Sequence, residues 1–213
     1  ADLTMVEATW GESFDLDAVE AAISDDTAVV TLVHNETSTG LLNPVAAVGE
    51  IAAAHDAFFV VDGVTSLGGD EFKIDDWHVD VAITDAQKAL AAPPGISALY
   101  LTDRAMEAVD GERAPFYEDL DWHCRKAESH QTPFTSAVPL VRALAEAVDQ
   151  IGEEGMPARI ERHRRQNAAF GEGFVAMGLE RFPTADAPTA LSNTLTAIEL
   201  PETVQADPDA FFD

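Results

Sequence analysis

Lysine is the scarcest functional side chain in this sequence. Only Lys73, Lys88 and Lys126 occur in 213 residues, and Lys and Arg together number 12 against 39 Asp and Glu, a formal net charge of -27. So few cations exclude a phosphate-backbone partner, because nucleic-acid binding is driven by basic side chains neutralising phosphates. An anionic membrane surface is disfavoured on the same ground. The acids are spread along the chain rather than gathered in a tail, so they read as a solvated acidic surface suited to a high-salt interior, where screening removes most self-repulsion. A single cysteine, Cys124, excludes an intramolecular disulfide framework and a multi-cysteine metal site. No apolar run approaches a membrane span and the first residues lack a signal-peptide pattern, so the expected location is the cytoplasm. With 46% hydrophobic residues the chain is not disordered and can bury a substantial core. It begins at Ala1 and ends at Ala210-Phe211-Phe212-Asp213. Processing with a natural terminus, or a piece of a longer chain, accounts for both ends.

The first half alternates short apolar runs with helical patterns. Residues 28–33, 58–61, 79–83 and 97–101 are the expected strands, and their continuous apolar character suits a sheet covered on both faces. Val45, Val48, Ile51 and Ala52 recur at helical spacing behind Pro44, predicting a helix over 44–55. An earlier helix over 15–23 has Asp15 as a possible cap. This order points to an α/β sheet with parallel strands. From Ser136 two helices follow, one carrying the stripe Val138, Leu140, Val141, Leu144 and Val148, the other spanning 156–177. The second begins with Arg159, Arg162, Arg164 and Arg165, which read as a solvated or acid-paired helix face. A strand is expected over 193–200, opening a second domain.

Three strand ends carry chemistry. Asp62 follows Phe58-Phe59-Val60-Val61 and precedes Gly63. Ligands of open α/β sheets bind outside the carboxyl ends of strands, so Asp62 is either a functional carboxylate or a cap on the next element. Lys88 lies in Ala86-Gln87-Lys88-Ala89-Leu90-Ala91-Ala92, unlike the other two lysines, which have charged neighbours. An amine in apolar surroundings loses solvation of its charged form and becomes a usable nucleophile; the alternative is an ordinary solvated lysine. Third, His34-Asn35-Glu36-Thr37-Ser38-Thr39-Gly40 offers hydroxyls and amides able to hold a phosphate or orient a ring. His34 itself is a candidate ligand or a hydrogen-bonded packing residue.

Taken together, these segments resemble the class V aminotransferases of the fold-type I pyridoxal-phosphate enzymes, nearest the alanine–glyoxylate and serine–glyoxylate (serine–pyruvate) members. The resemblance rests on His34 to Gly40, on Val61-Asp62-Gly63-Val64-Thr65-Ser66-Leu67-Gly68-Gly69, and on Gln87-Lys88-Ala89-Leu90 with Pro93-Pro94-Gly95. It implies an α/β large domain with a mostly parallel central sheet flanked by helices. That domain is incomplete over residues 1–154, with a linking helix and the start of a small α+β C-terminal domain over 155–213. It implies pyridoxal 5'-phosphate bound through a Lys88 aldimine, with Lys88 also moving the proton between substrate and cofactor carbons. Asp62 is implied as partner of the pyridinium nitrogen, Thr37 near the ring oxygen, Val64 on one ring face and Gln87 on the phosphate. Thr135 is implied to reach the phosphate of a neighbouring subunit, hence a homodimer. The implied reaction moves an amino group from alanine or serine to a 2-oxo acid such as glyoxylate or pyruvate.

The sequence departs from the family pattern before the lysine, where Asp85-Ala86 replaces a small Gly/Ser pair and sets an acid near the phosphate position. The family's phosphate loop and ring-stacking aromatic correspond to positions upstream of Ala1, and its substrate-clamping arginine to positions beyond Asp213, so the resemblance implies an internal fragment. Two other readings accompany it. One is a different class V reaction, by a phosphonate aminotransferase or a cysteine desulfurase, which share the Asp and Lys placement. The other is a non-catalytic dimerising remnant.

Overall fold

The computed structural model describes residues 2–109, 111, 114–183 and 189–206. Helix α1 (Leu16–Ala22) opens on Asp15, whose carboxylate accepts the Asp17 N–H at 3.0 Å, the cap expected from sequence. Strand β1 (Val29–Val33) runs into a small hairpin of β2 (Asn35–Glu36) and β3 (Leu41–Leu42), followed by α2 (Val45–Ala54) behind Pro44. Strands β4 (Phe58–Asp62), β5 (Val81–Asp85) and β6 (Ser97–Leu101) complete the main sheet. Helices α3 (Asp103–Val109), α4 (Leu120–Glu128), α5 (Val138–Glu154) and α6 (Met156–Ala176) come next, then β7 (Ala190–Leu191) and α7 (Glu202–Ala206). Among the described residues no helix is long and apolar enough to cross a membrane, and no cluster of His, Cys, Asp or Glu is arranged to hold a metal ion.

The main sheet has the order β1-β4-β5-β6. Strands β1, β4 and β5 are mutually parallel, with Val33 opposite Asp62 and Asp62 opposite Ile83, and β6 returns antiparallel. This is the mixed α/β architecture with a mostly parallel centre that the alternating pattern predicted. Burial alternates along β4 and β5. Phe59, Val61 and Ala82 point into a core with Val45, Val48 and Ala52 of α2 and Val19 of α1. Their neighbours on the opposite face, Val60 and Ile83, are only half-buried and line a cleft of about 550 Å³ with Thr31, Val33 and Asp62. The expectation of a sheet covered on both faces is therefore corrected: the described residues bury one face, and the apolar residues of the other border the cleft. The α5 stripe divides similarly. Leu140 and Leu144 are half-buried, in line with buried Ile151, whereas Val138, Val141 and Val148 on the outer side of the stripe are exposed, because a helix packed along one side covers only the near edge of a wide stripe.

The strand expected over 193–200 is also corrected. The extended pairing lies earlier, where β7 joins β3 antiparallel; beyond it, among the described residues, the pairing is one bridge from Ile198 to Arg181, with the Phe182 N–H on the Ala197 carbonyl and the Glu199 N–H on the Glu180 carbonyl. Side chains hold the start of this segment. The Asn35 amide donates to Ser192 Oγ at 2.7 Å and Thr194 Oγ1 at 2.9 Å, using its two N–H groups. Asp70, fully buried, accepts the Asn193 N–H at 3.1 Å. Burial pushes the Asp70 carboxyl up to about 6, the hydrogen bonds from Asn193 opposing that rise.

Two outcomes follow from this packing. An alanine Cβ at Gly49 of α2 would stand 2.0 Å from the Trp77 carbonyl oxygen and 3.2 Å from the Phe59 ring. On a solvated helix Gly→Ala gains about 1 kcal/mol, but overlap with fixed backbone outweighs that gain. Gly49→Ala should therefore lower stability by about 2 kcal/mol or more, read as a lower urea midpoint at unchanged slope. A midpoint at or above wild type contradicts the packing. For Asp70, a folded-state value near 6 against an ordinary 3.8 means that the folded chain holds a proton the unfolded chain releases. Its contribution is full below about pH 4 and lost as pH rises through about 6. Asp70→Asn should remove that slope, worth up to about 3 kcal/mol across the window. Parallel wild-type and variant stability curves from pH 4 to 7 would refute it.

Candidate active site

Because β1, β4 and β5 are parallel and adjacent, their carboxyl ends share one edge of the sheet, and the three turns that leave that edge carry the residues singled out above. The turn after β4 begins at Asp62. One carboxylate oxygen accepts the Val64 N–H at 2.9 Å, and the Gly63 N–H donates to the Ile83 carbonyl at 2.8 Å, tying this turn to β5. Asp62 thus caps its own turn and also lines the cleft. The two readings of Asp62 are compatible, since a carboxylate with one oxygen engaged still accepts through the other. Val64 is half-buried two residues on.

After β1, the His34 N–H donates to the Asp62 carbonyl at 2.9 Å, extending the ladder into the turn. Its ring is buried, with Nδ1 2.9 Å from Ser66 Oγ and ring contacts at 5.3 Å to Phe72 and 5.4 Å to Trp77. Burial lowers its pKa to about 4, so the ring is neutral near pH 7. Of its two readings, His34 is the hydrogen-bonded packing residue. Thr37 Oγ1 lies 2.8 Å from Thr65 Oγ1, so one hydroxyl pair stitches the β1 turn to the β4 turn.

The turn after β5 holds Gln87 and Lys88, both exposed, between buried Ala86 and buried Ala89 and Leu90. The apolar neighbours of Lys88 point inward and anchor the turn, while Lys88 itself points out. The expectation of an amine desolvated by its own flanking residues is corrected on that ground. The turn is closed by the Ala91 N–H on the Lys88 carbonyl at 2.9 Å and the Ala92 N–H on the Ala86 carbonyl at 2.8 Å. Asp85, the departure from the family pattern, accepts from the Gln87 amide at 3.1 Å and from the Ser97 hydroxyl across the β5–β6 pair. Its charge is met by donors, and the Gln87 amide is engaged with it. Thr135 sits apart from these turns in sequence, exposed between α4 and α5, beside Phe134, whose ring stacks on Tyr117 at 4.9 Å.

The arginine cluster of α6 is acid-paired. Glu154 takes Arg162 through two contacts of 2.5 and 2.9 Å and Arg159 at 3.2 Å, while Arg164 pairs with Glu161 at 2.7 Å. Sequence reasoning missed that Arg159 is buried and bonded to the site turns, with Nε on the Gly68 carbonyl at 2.6 Å and Nη2 on the Ala89 carbonyl at 2.7 Å. It also missed the role of Asn35 and Asp70 in seating residues 192–194. A signal for Asp70 was present: an acid directly after Gly68-Gly69, at the end of a segment otherwise free of charge since Asp62.

Comparison with known proteins bears on the family and the fold. An uncharacterised aminotransferase of Methanocaldococcus jannaschii is 39% identical over 205 residues, 94% of this chain and 52% of that protein. The L-aspartate–glyoxylate aminotransferase of Paracoccus denitrificans is 35% identical over 97% of this chain and 53% of its own length. Among solved structures, the alanine–glyoxylate aminotransferase of Nostoc sp. matches with a TM-score of 0.87 at 32% identity, covering 95% of this chain and 54% of that one. The chain spans about half the length of the curated relatives it matches. The family described as Aminotransferase class-V matches residues 1–197, and the chain belongs to that family.

Proposed function

We propose that the protein containing this chain transfers an amino group between a small amino acid and a 2-oxo acid, with Lys88 and Asp62 as its cofactor-contacting residues. Pyridoxal 5'-phosphate is the cofactor that the family implies. When bound, it supplies an electron sink that stabilises a carbanion at the amino-acid Cα. The residues present fit it. A carboxylate lines a cleft of about 550 Å³, a size suited to a small ligand, and a primary amine is carried by the turn of the adjacent parallel strand. The observation that carries the reading is this pairing: Asp62 stands opposite Ile83, and Lys88 follows Ile83 at the same sheet edge.

In this reading Lys88 Nζ would hold the cofactor through its aldehyde and would supply the base that moves a proton during the transfer. The Asp62 carboxylate, held by the Val64 N–H, would accept a hydrogen bond from the cofactor's ring nitrogen and favour its protonated form. Thr37, joined to Thr65, and Val64 would help hold the cofactor ring, and Gln87, once released from Asp85, would help hold the phosphate. The acceptor we favour is glyoxylate, supported by the names of the aspartate–glyoxylate and alanine–glyoxylate relatives, with pyruvate second; the donor we favour is alanine or serine. A homodimer in which Thr135 contacts the partner's phosphate is supported by the exposed Phe116, Tyr117, Val138 and Val141 around it in sequence. The cysteine desulfurase alternative loses ground at Cys124. Burial, with Asp121 and Glu128 adding, pushes its thiol up, the reverse of what a nucleophilic cysteine needs.

Borohydride reduction of the whole protein with pyridoxal phosphate, followed by peptide mapping, should place a pyridoxyl group on Lys88 and find none there in Lys88→Ala. Asp62→Asn should retain the label while turnover falls about 100-fold or more. A label on another lysine, or none, defeats the assignment and favours the non-catalytic remnant.

A further inference from the structure

Arg159 makes no contact with the cleft, yet its guanidinium bonds two turns that border the reaction edge. Three of its nitrogens are engaged: Nε with the Gly68 carbonyl, Nη2 with the Ala89 carbonyl and Nη1 with Glu154. Gly68 closes the turn that starts at Asp62, and Ala89 is the residue after Lys88. The two turns approach closely at Gly68 and Gly69. A Cβ on Gly68, whose φ is +101°, would meet Leu90 at 3.0 Å and the Ala89 carbonyl oxygen at 3.3 Å; one on Gly69 would meet Thr194 at 2.3 Å and Ala89 Cβ at 3.3 Å. Contact of this kind sets separation but resists sliding poorly. A planar fork that donates to one carbonyl on each turn fixes their register as well.

The charge is supported from outside. Glu154 ends α5 and Arg159 lies in the first turn of α6, with Gly155 at φ 81° turning the chain between them. The Glu154 carboxylate is held down to about 2, chiefly by the hydrogen bonds from Arg162, with burial opposing and Arg159 adding to the lowering, so it stays charged at any pH where the fold is tested. The buried guanidinium is therefore paired rather than isolated, the condition under which a buried charge is tolerated.

We propose that Arg159 is a positioning residue of the active site, a buried clamp that holds the Lys88 turn in register with the Asp62 turn. The proposal rests on the assignment of Lys88 and Asp62 to the cofactor. A clamp of this kind acts on the direction from which the Lys88 amine approaches, not on the amine's chemistry, so its loss should show in cofactor retention and in the titration of the covalently held cofactor.

The test compares Arg159→Met and Arg159→Lys in the whole protein, with Arg164→Met, an exposed pair on the same helix, as control. In the wild type without cofactor, hydrogen exchange at the Ala91 and Ala92 amides, which close the Lys88 turn, should be as slow as in β4. In Arg159→Met those two amides should exchange at least about tenfold faster while β4 is unchanged. Affinity for pyridoxal phosphate should fall at least about tenfold, the loss expected from one charge-assisted hydrogen bond. The pH midpoint of the visible absorbance of lysine-bound pyridoxal should also move. Arg159→Lys should fall between, and Arg164→Met should match wild type. Wild-type exchange, affinity and midpoint in a folded Arg159→Met protein overturn the proposal. Should that variant not fold, rapid wild-type exchange at Ala91 and Ala92, or an Arg159→Lys protein unchanged in affinity and midpoint, overturns it. Failure of borohydride to label Lys88 while exchange stays slow rejects the cofactor assignment and leaves the mechanical clamp standing.

Discussion

The parallel pairing of β4 with β5 is the constraint on which the rest of this structure depends. Parallel strands emit their carboxyl ends on the same side, and one register step, Asp62 opposite Ile83, fixes how far the two following turns stand from each other along the edge. With β1 added in the same sense, three turns meet there. Each is tied to its neighbour by a different bond: His34 N–H to the Asp62 carbonyl, Gly63 N–H to the Ile83 carbonyl, and the Thr37–Thr65 hydroxyl pair. An antiparallel order would send alternate turns to opposite ends and disperse the same residues.

The second layer of order is polar and buried. Segment 190–194 has only two residues of strand pairing with β3, too little to hold it. Asn35 and Asp70 supply the remainder through Ser192, Asn193 and Thr194. Such groups are costly when unpaired and directional when paired. Asp70 illustrates both sides: its hydrogen bond from Asn193 favours the charged form, and burial outweighs that bond. The cations are arranged with equal economy. Arg104 meets Asp56 and Asp80, Arg125 meets Asp121, and Arg159 and Arg162 share Glu154.

What was legible in the sequence was what periodicity and strand-end chemistry encode. The strand at Phe58, the helix behind Pro44 and the Asp15 cap each follow from a local pattern, and Asp62 and Lys88 each follow from a residue type at a strand end. The hairpin at Asn35 was not legible, because two-residue strands have no periodicity to detect. The seat of residues 192–194 was not either, since it depends on partners more than 120 positions away in the chain. Arg159 was hidden for a further reason. Arg159, Arg162, Arg164 and Arg165 look alike in sequence, and only the direction in which α6 leaves Gly155 turns the first of them inward.

Lys88 stands out in the sequence for a reason that the structure supports only in part. Its apolar flanks made it stand out from Lys73 and Lys126, yet Ala86, Ala89 and Leu90 are buried to fasten the turn, and the amine they fasten is exposed. A turn anchored from below with its side chain presented outward is compatible with the anchoring role proposed for that amine. It follows that any desolvation of Lys88 has to come from whatever covers the turn: the cofactor, the rest of the polypeptide or a second copy of it. What the described residues supply is a fixed point of attachment for the Lys88 side chain, through backbone hydrogen bonds, two close-approach glycines and one buried arginine.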